Sequence, residues 1–230
     1  LINALLDVGT VKSVVFTSSL LVCKMGYMPK SDTDYMPSTA YGMSKVEGER
    51  IVRGWDRLPF SWTIIRPISV WGPWMREPYY NFFKSVIHGW YFHIGEGHYH
   101  RSMGYVENVA HEIHSILCAP STDVNQKTYY VGDPTPTDLY DFAEEIRAQT
   151  RSRKILHIPL SITKIVSGIG DLLKACGWTD VPLSSFRLNN ITTEYTFDLS
   201  PVISISGEVP FDYKEGISRP EYKKFDGWQK

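Results

Sequence analysis

Tyr41 and Lys45 stand four residues apart in the string 41-YGMSK-45. At that spacing on a helix, two side chains share one face and can address one bound molecule. An isolated phenol titrates at about pH 10 and is a poor base near neutrality, but a neighbouring ammonium favours the phenolate. The pair could therefore serve as a general acid/base. The same spacing also arises by chance, as a solvated lysine beside a half-buried tyrosine. Ser18 and Ser19 close the short apolar run Val14-Val15-Phe16, and Ser19 lies 22 residues before Tyr41. A hydroxyl at the carboxyl end of a buried parallel strand sits where open α/β sheets bind ligands. A plain turn residue is the competing reading of Ser19.

The surrounding pattern predicts elements able to hold these groups. Leu1 to Asp7 reads as a helix ending near Gly9, and Ser13 to Phe16 as a buried strand. Pro37 to Asp56 reads as a helix with Ser38 or Thr39 as N-cap, followed by a second buried strand at Ser61–Arg66. Helices are expected at Tyr79–His88 and Asn108–Cys118, and a short strand at Tyr129–Val131. The string 135-TPTD-138 reads as a helix start with proline at the first helical position. Ile162, Ile165, Val166, Ile169, Leu172 and Leu173 fall at helical spacing and predict an ordinary amphipathic helix. Strands alternating with helices indicate an α/β domain with a parallel sheet. After about Arg151 the alternation weakens, as expected of a smaller appended lobe.

Composition removes several classes of function. Charged residues make up 21% of the 230 residues and hydrophobic ones 43%, which excludes disorder driven by charge. A net charge of -1 argues against a nucleic-acid partner, since the densest basic run is only 151-RSRK-154. No run of apolar residues is long enough for a membrane span. Cys23, Cys118 and Cys176 are odd in number and far apart, a poor disulfide framework that points to a reducing, cytoplasmic compartment. His93, His98 and His100 surround 95-GEG-97, where a loop or substrate-facing flap is favoured over a metal site. His111 and His114 indicate no third ligand, so no metal centre is expected.

Five strings, in order, carry a resemblance: 15-VFTSSLLV-22, 37-PSTAYGMSKVEGE-49, 66-RPISVWGP-73, 101-RSMGYVENVA-110 and 129-YYVGDPTPTDLYDFAEEI-146. Together they resemble the extended short-chain dehydrogenase/reductase family, the NAD-dependent sugar epimerases and dehydratases. The resemblance implies a Rossmann-like doubly wound parallel sheet, of which this chain holds the C-terminal part, with a smaller C-terminal substrate lobe. Residues 1–150 would form a partial NAD(P)-binding domain, with substrate-lobe segments interleaved from about 74. Residues 151–230 would be mainly substrate-binding lobe. About three β–α units, roughly 90 residues, would precede Leu1 and carry the glycine-rich turn that reads the cofactor. A chain without them would not turn over.

The same resemblance assigns roles. Tyr41 would exchange a proton with a substrate hydroxyl while a hydride moves, Lys45 would hold the nicotinamide ribose, and Ser19 would orient the reacting oxygen. Thr17, Ser18 and Pro67 would join Tyr41 and Lys45 against NAD or NADP, with NAD favoured. Ser69 and Arg101 would contact the substrate, Arg101 by pairing with the diphosphate of a nucleotide-sugar. Leu20 and Leu21 stand where dehydratases usually carry an acidic pair, which favours an epimerase or dehydrogenase. A homodimer is expected. Departures are Cys23-Lys24 for a usual Tyr-Gly, Ser69 for a frequent Asn, and Asn108 for a usual Asp. Two alternatives stay open: a 3-beta-hydroxysteroid dehydrogenase-like or carbonyl reductase-like enzyme, and a non-catalytic cofactor-binding or regulatory protein.

Overall fold

A computed structural model describes residues 1–55, 57–178, 181 and 183–219. In chain order, α1 (Ile2–Val8), β1 (Ser13–Thr17), α2 (Ala40–Arg53), β2 (Ser61–Pro67) and β3 (Ser69–Trp71) come first. Next are α3 (Tyr79–Ile87), β4 (Phe92–Ile94), β5 (His100–Arg101), β6 (Met103–Tyr105), α4 (Val106–Cys118), α5 (Ser121–Val124) and β7 (Lys127–Val131). Then follow β8 (Thr137–Asp138), α6 (Leu139–Thr150), β9 (Leu156–Ile158), α7 (Leu160–Ala175), α8 (Ser185–Thr192), α9 (Ser200–Ser206) and α10 (Tyr213–Ser218). These elements form two compact units. The first holds Leu1–Gly72, Ser102–Thr135 and Phe197–Asp212, and the second Pro73–Arg101, Pro136–Thr196 and the segment from Tyr213.

The first unit is built on a parallel sheet in the order β1-β2-β7. Ser13 pairs with Ser61 and Thr63 with Lys127, so β2 is central and buried on both faces. Successive residues of a strand point to opposite faces. Val14 and Phe16 of β1 and Trp62 and Ile64 of β2 pack with Ile2, Leu5 and Leu6 of α1 and Val52 of α2. On β2 the intervening Thr63 donates its hydroxyl to the Val124 carbonyl of α5 at 2.8 Å. Helices therefore cover both faces, the doubly wound α/β arrangement that the alternating pattern predicts. The expected strands and helices of this unit form within a few residues of their sequence-based bounds.

Asn108 explains its own departure from Asp. Its Nδ2 donates to Asp133 Oδ1 at 2.7 Å and to the Phe211 carbonyl at 2.8 Å, while Oδ1 accepts from Phe211 N at 3.1 Å. An Asp at this position would set a second carboxylate against Asp133 and could not donate to it.

In the second unit, Phe83 of α3 and Phe142 of α6 meet edge to face at 5.6 Å, with Phe82 stacked on Phe142 at 6.0 Å. The start of α6 differs from the sequence expectation. Thr137 and Asp138 pair antiparallel with Arg101 and His100, and the helix begins only at Leu139. Asp138 Oδ1 caps it, accepting from Tyr140 N at 2.9 Å and Asp141 N at 3.0 Å. A carboxylate satisfying two orphan donors outweighs the preference of Pro136 for the first helical position. Among the described residues no helix is long and apolar enough to cross a membrane.

Two buried carboxyls in the first unit make stability depend on pH. Glu112 of α4 is fully buried; Oε2 accepts from Gly132 N at 2.8 Å, and Oε1 has no partner among the described residues. Burial pushes Glu112 up to about 8, and burial likewise pushes Asp133 up to about 6. Both values are raised, so the folded state binds protons that the unfolded state releases. The favourable balance present below about pH 4 is thus lost as pH rises, through about 6 for Asp133 and about 8 for Glu112. Between those two values Glu112 dominates, costing up to about 1.4 kcal/mol per pH unit. Thermal melts should show the midpoint falling by roughly 5 °C across that interval, and Glu112→Gln should remove most of the fall. An equally steep decline in the variant would contradict this origin.

Candidate active site

The site grows from the carboxyl end of β1. Ser18 N donates to Ile65 O at 2.7 Å and so extends the β1–β2 pairing by one bond. The chain then turns into a short 3-10 helix, Leu20–Val22, whose N-cap is Ser19; Ser19 Oγ accepts from Leu21 N at 3.2 Å. That bond occupies a lone pair and leaves the hydroxyl hydrogen free to donate. Downstream, Thr39 caps α2, with its Oγ1 accepting from Gly42 N at 3.0 Å. A Cβ on Gly42 would overlap the Leu21 carbonyl oxygen. Only a residue without a side chain lets the first turn of α2 lie against the Ser19 turn. That contact places Tyr41, the residue before Gly42, beside the loop that carries Ser19.

Lys45 follows one turn later. Its Nζ lies 5.5 Å from the Tyr41 ring centroid and donates to the Thr17 carbonyl at 3.1 Å. The ammonium is thus fixed at two points: the last residue of β1 and the face of the phenol. The Tyr41 side chain is about half exposed, at 52%. Thr17, Ser18, Ser44 and Lys45 line a groove of about 350 Å³ beside β1 and α2, together with apolar Val14 and Phe16.

Behind this surface lies a buried ion pair that sequence reading passed over. Arg66 is fully buried in β2, and Glu49 of α2 is 2% exposed. Arg66 Nε donates to Glu49 Oε1 at 2.9 Å and Nη2 to Oε2 at 2.8 Å, a bidentate fork. Ser18 Oγ donates to Oε1 at 2.6 Å and Tyr35 OH to Oε2 at 2.9 Å. The rest of the guanidinium donates to Tyr130 OH at 3.1 Å and to the Asp32 carbonyl at 2.6 Å. Burial pushes Glu49 up, but the Arg66 bonds and charge outweigh it and hold the carboxyl below the usual carboxylate range. Burial opposes the charge of Arg66 too, and its bonds to Glu49 and Tyr130 more than restore it. Both groups stay ionised. The available signals were a lone charge in the apolar strand 61-SWTIIRP-67 and an acid four residues after Lys45 on the same helix face.

Pro67 ends β2, paired with Val131, and half-buried Ser69 begins β3, paired with Met103. Arg101 belongs to the second unit, where it pairs with Thr137 and its Nη2 donates to the Asn190 carbonyl. Burial lowers its pKa. Cys23 is buried, bonded through Sγ to Asp34 O at 3.4 Å, and burial pushes its thiol up. That makes it a structural side chain of the loop after β1, not a nucleophile. His93 is buried with Nε2 on the Gly97 carbonyl at 2.9 Å. Among the described residues no group of three or more His, Cys, Asp or Glu side chains is arranged to hold a metal.

The model of the NAD dependent epimerase/dehydratase family matches residues 1–132, more than half of the chain. The chain belongs to that family. A relative from Escherichia coli O157:H7, N-acetyl-alpha-D-glucosaminyl-diphospho-ditrans,octacis-undecaprenol 4-epimerase, is 27% identical over 222 residues, 94% of this chain and 66% of its own length. The 3beta-hydroxysteroid-dehydrogenase/decarboxylase isoform 2 of Arabidopsis thaliana is 27% identical over 241 residues, 95% of this chain but 42% of the relative. The crystal structure of UDP-glucuronic acid 4-epimerase from Bacillus cereus in complex with NAD superposes with a TM-score of 0.65 at 14% identity, over 95% of this chain and 62% of that one. At that identity it shows the shared Rossmann fold. The chain thus spans about two thirds or less of these relatives.

The approach at Gly42 yields a test. Gly42→Ala must push α2 away from the Leu21 carbonyl, so it should destabilise the chain by about 1–3 kcal/mol, as overpacking does. Urea unfolding measures this. Gly48→Ala, on the same helix with nothing near its added Cβ, should be neutral or stabilising. Equal effects at the two glycines would contradict the close approach.

Proposed function

We propose that this chain carries the catalytic part of an NAD(P)-dependent epimerase acting on a sugar linked through a diphosphate. The observation that carries the reading is Lys45, bonded to the Thr17 carbonyl and lying under the Tyr41 ring, at the end of a parallel strand whose next turn presents Ser19. Family membership supports the reaction class. The sugar-diphosphate substrate is drawn from relatives whose names specify a UDP-sugar or a diphospho-undecaprenol sugar.

The groove beside β1, lined by Thr17, Ser18, Ser44 and apolar Val14 and Phe16 with the Lys45 ammonium held on the Thr17 carbonyl, is read as the seat of the nicotinamide end of a dinucleotide. Thr17, Ser18, Lys45 and Pro67 would hold that end, NAD in preference to NADP. When bound, the cofactor supplies transient hydride acceptance and return at the sugar carbinol. The residues of the chain manage the proton and the geometry. Tyr41, acting as the phenolate, takes the proton of the substrate hydroxyl as the hydride leaves, and the phenol so formed later returns it. Lys45 sets a positive charge against the Tyr41 ring and so favours the phenolate, both before the proton is taken and as it is given back. Ser19 donates its free hydroxyl hydrogen to the same substrate oxygen and fixes its position. Ser69 and Arg101 are assigned to the substrate, and the enzyme is read as a homodimer.

Turnover of the UDP-sugar or the lipid diphospho-sugar by the full-length protein, including the cofactor-reading segment expected before Leu1, tests the reading. Tyr41→Phe should lower it by about 100-fold or more, while NAD affinity measured by calorimetry changes little. Lys45→Met should weaken both. Undiminished turnover in Tyr41→Phe would overturn the catalytic assignment in favour of a binding protein. The likeness to the plant 3beta-hydroxysteroid-dehydrogenase/decarboxylase favours a second reading, a sterol substrate. Arg101→Ala separates the two: it should weaken a diphosphate ligand strongly and a sterol hardly at all.

A further inference from the structure

The helix α7 is turned opposite to its sequence pattern. An amphipathic helix in a water-soluble unit normally buries its apolar stripe. In α7 the buried positions are instead Thr163, Ser167 and Gly170. A Cβ on Gly170 would overlap the Leu183 carbonyl oxygen, so it is the small-residue face that packs closely on the chain. The large apolar residues lie on the other side. Ile162, Ile165, Val166, Ile169 and Leu172 are 47% to 67% exposed, and Trp178, just past the helix, is 66% exposed. Scattered exposed apolar residues are ordinary, but a continuous stripe along one helix marks an interaction surface.

Charge indicates what covers it. Between Arg151 and Arg187 the chain carries six basic and two acidic side chains, although its net charge is -1. A second copy docked face to face would bring two such basic segments together and suffer like-charge repulsion. A surface of anionic headgroups is complementary to them and accepts the apolar stripe below. The helix has 16 residues, short of the roughly 20 needed to span a bilayer, so it would lie in the plane of the interface. Trp178 suits that depth, where an amphipathic ring sits at headgroup level.

We infer that the exposed face of α7 docks the protein reversibly on an anionic lipid surface. Ile165 and Ile169 enter the headgroup–acyl boundary, and Lys154 and Lys164 attract the headgroups. The inference stands apart from the catalytic reading, since docking needs neither cofactor nor turnover.

Flotation with phosphatidylglycerol–phosphatidylcholine vesicles tests it, beside vesicles of phosphatidylcholine alone. The wild-type chain should float with the anionic vesicles and lose much of that binding in high salt. Ile165→Glu/Ile169→Glu should reduce binding by about tenfold or more, with an unchanged melting curve because both side chains are exposed. Should that variant fail to fold, Lys154→Glu/Lys164→Glu keeps the apolar face and should abolish the preference for anionic vesicles. Absence of flotation, or equal flotation of the wild type and both variants, overturns the inference. So does a dimer in sedimentation that Ile165→Glu/Ile169→Glu dissolves, which would assign the face to a second copy.

Discussion

The ion pair between Glu49 and Arg66 is the interaction on which the candidate site depends. Two charges out of water are tolerable only when good geometry and further hydrogen bonds offset their desolvation. Most of the polar atoms here are matched: Ser18, Tyr35, Arg53 and Arg66 supply the carboxylate, and four guanidinium donations go to Tyr130, Asp32 and the two oxygens of Glu49. The rings of Tyr35 and Tyr130 lie 5.6 and 5.4 Å from the guanidinium carbon and exclude water from its faces. The pair joins α2 to β2, while Ser18 joins it to the end of β1. Three elements that must keep a fixed spacing are therefore tied at one point.

What the tie fixes is the backbone between two candidate groups, Lys45 and Ser19. Thr17 offers its carbonyl to Lys45, Ser18 donates to Glu49, and Ser19 caps the next turn. Lys45 and Glu49 sit one turn apart on α2, so a single helix face grips consecutive residues of a single strand end. Gly42 completes the arrangement from the other side by letting the helix start against the Leu21 carbonyl. Tyr41 needs no bond of its own to be placed. The two ends of its turn are held.

Much of this was legible in the sequence, because the relevant signals are local. The run Ser13–Phe16 and the strand Ser61–Arg66 announce themselves by continuous apolar character, and the Tyr41–Lys45 spacing follows from helix periodicity. Thr39 was one of two expected caps and is the one observed. What escaped depends on contacts distant in sequence. The charge of Arg66 in a buried strand is intelligible only once Glu49, 17 residues earlier, is seen opposite it. The delayed start of α6 follows from β8 pairing with β5, a partnership that no helix-start rule contains. For α7 the periodicity correctly predicts a helix, but it cannot say which face meets the chain. Thr163, Ser167 and Gly170 allow an approach that the bulky stripe would prevent.

A double-mutant cycle on the buried pair measures the tie directly. Urea unfolding of Glu49→Gln, Arg66→Gln and the double variant gives the coupling between the two side chains. Glu49→Gln leaves the buried Arg66 charge without its partner, and Arg66→Gln leaves Glu49 only the longer contact to Arg53 Nη2 at 3.5 Å; each is expected to cost about 3–5 kcal/mol, and the double variant far less than the sum. Additive costs would mean that the two charges do not depend on each other, and would contradict the role of Glu49 and Arg66 as the tie between α2, β2 and the end of β1.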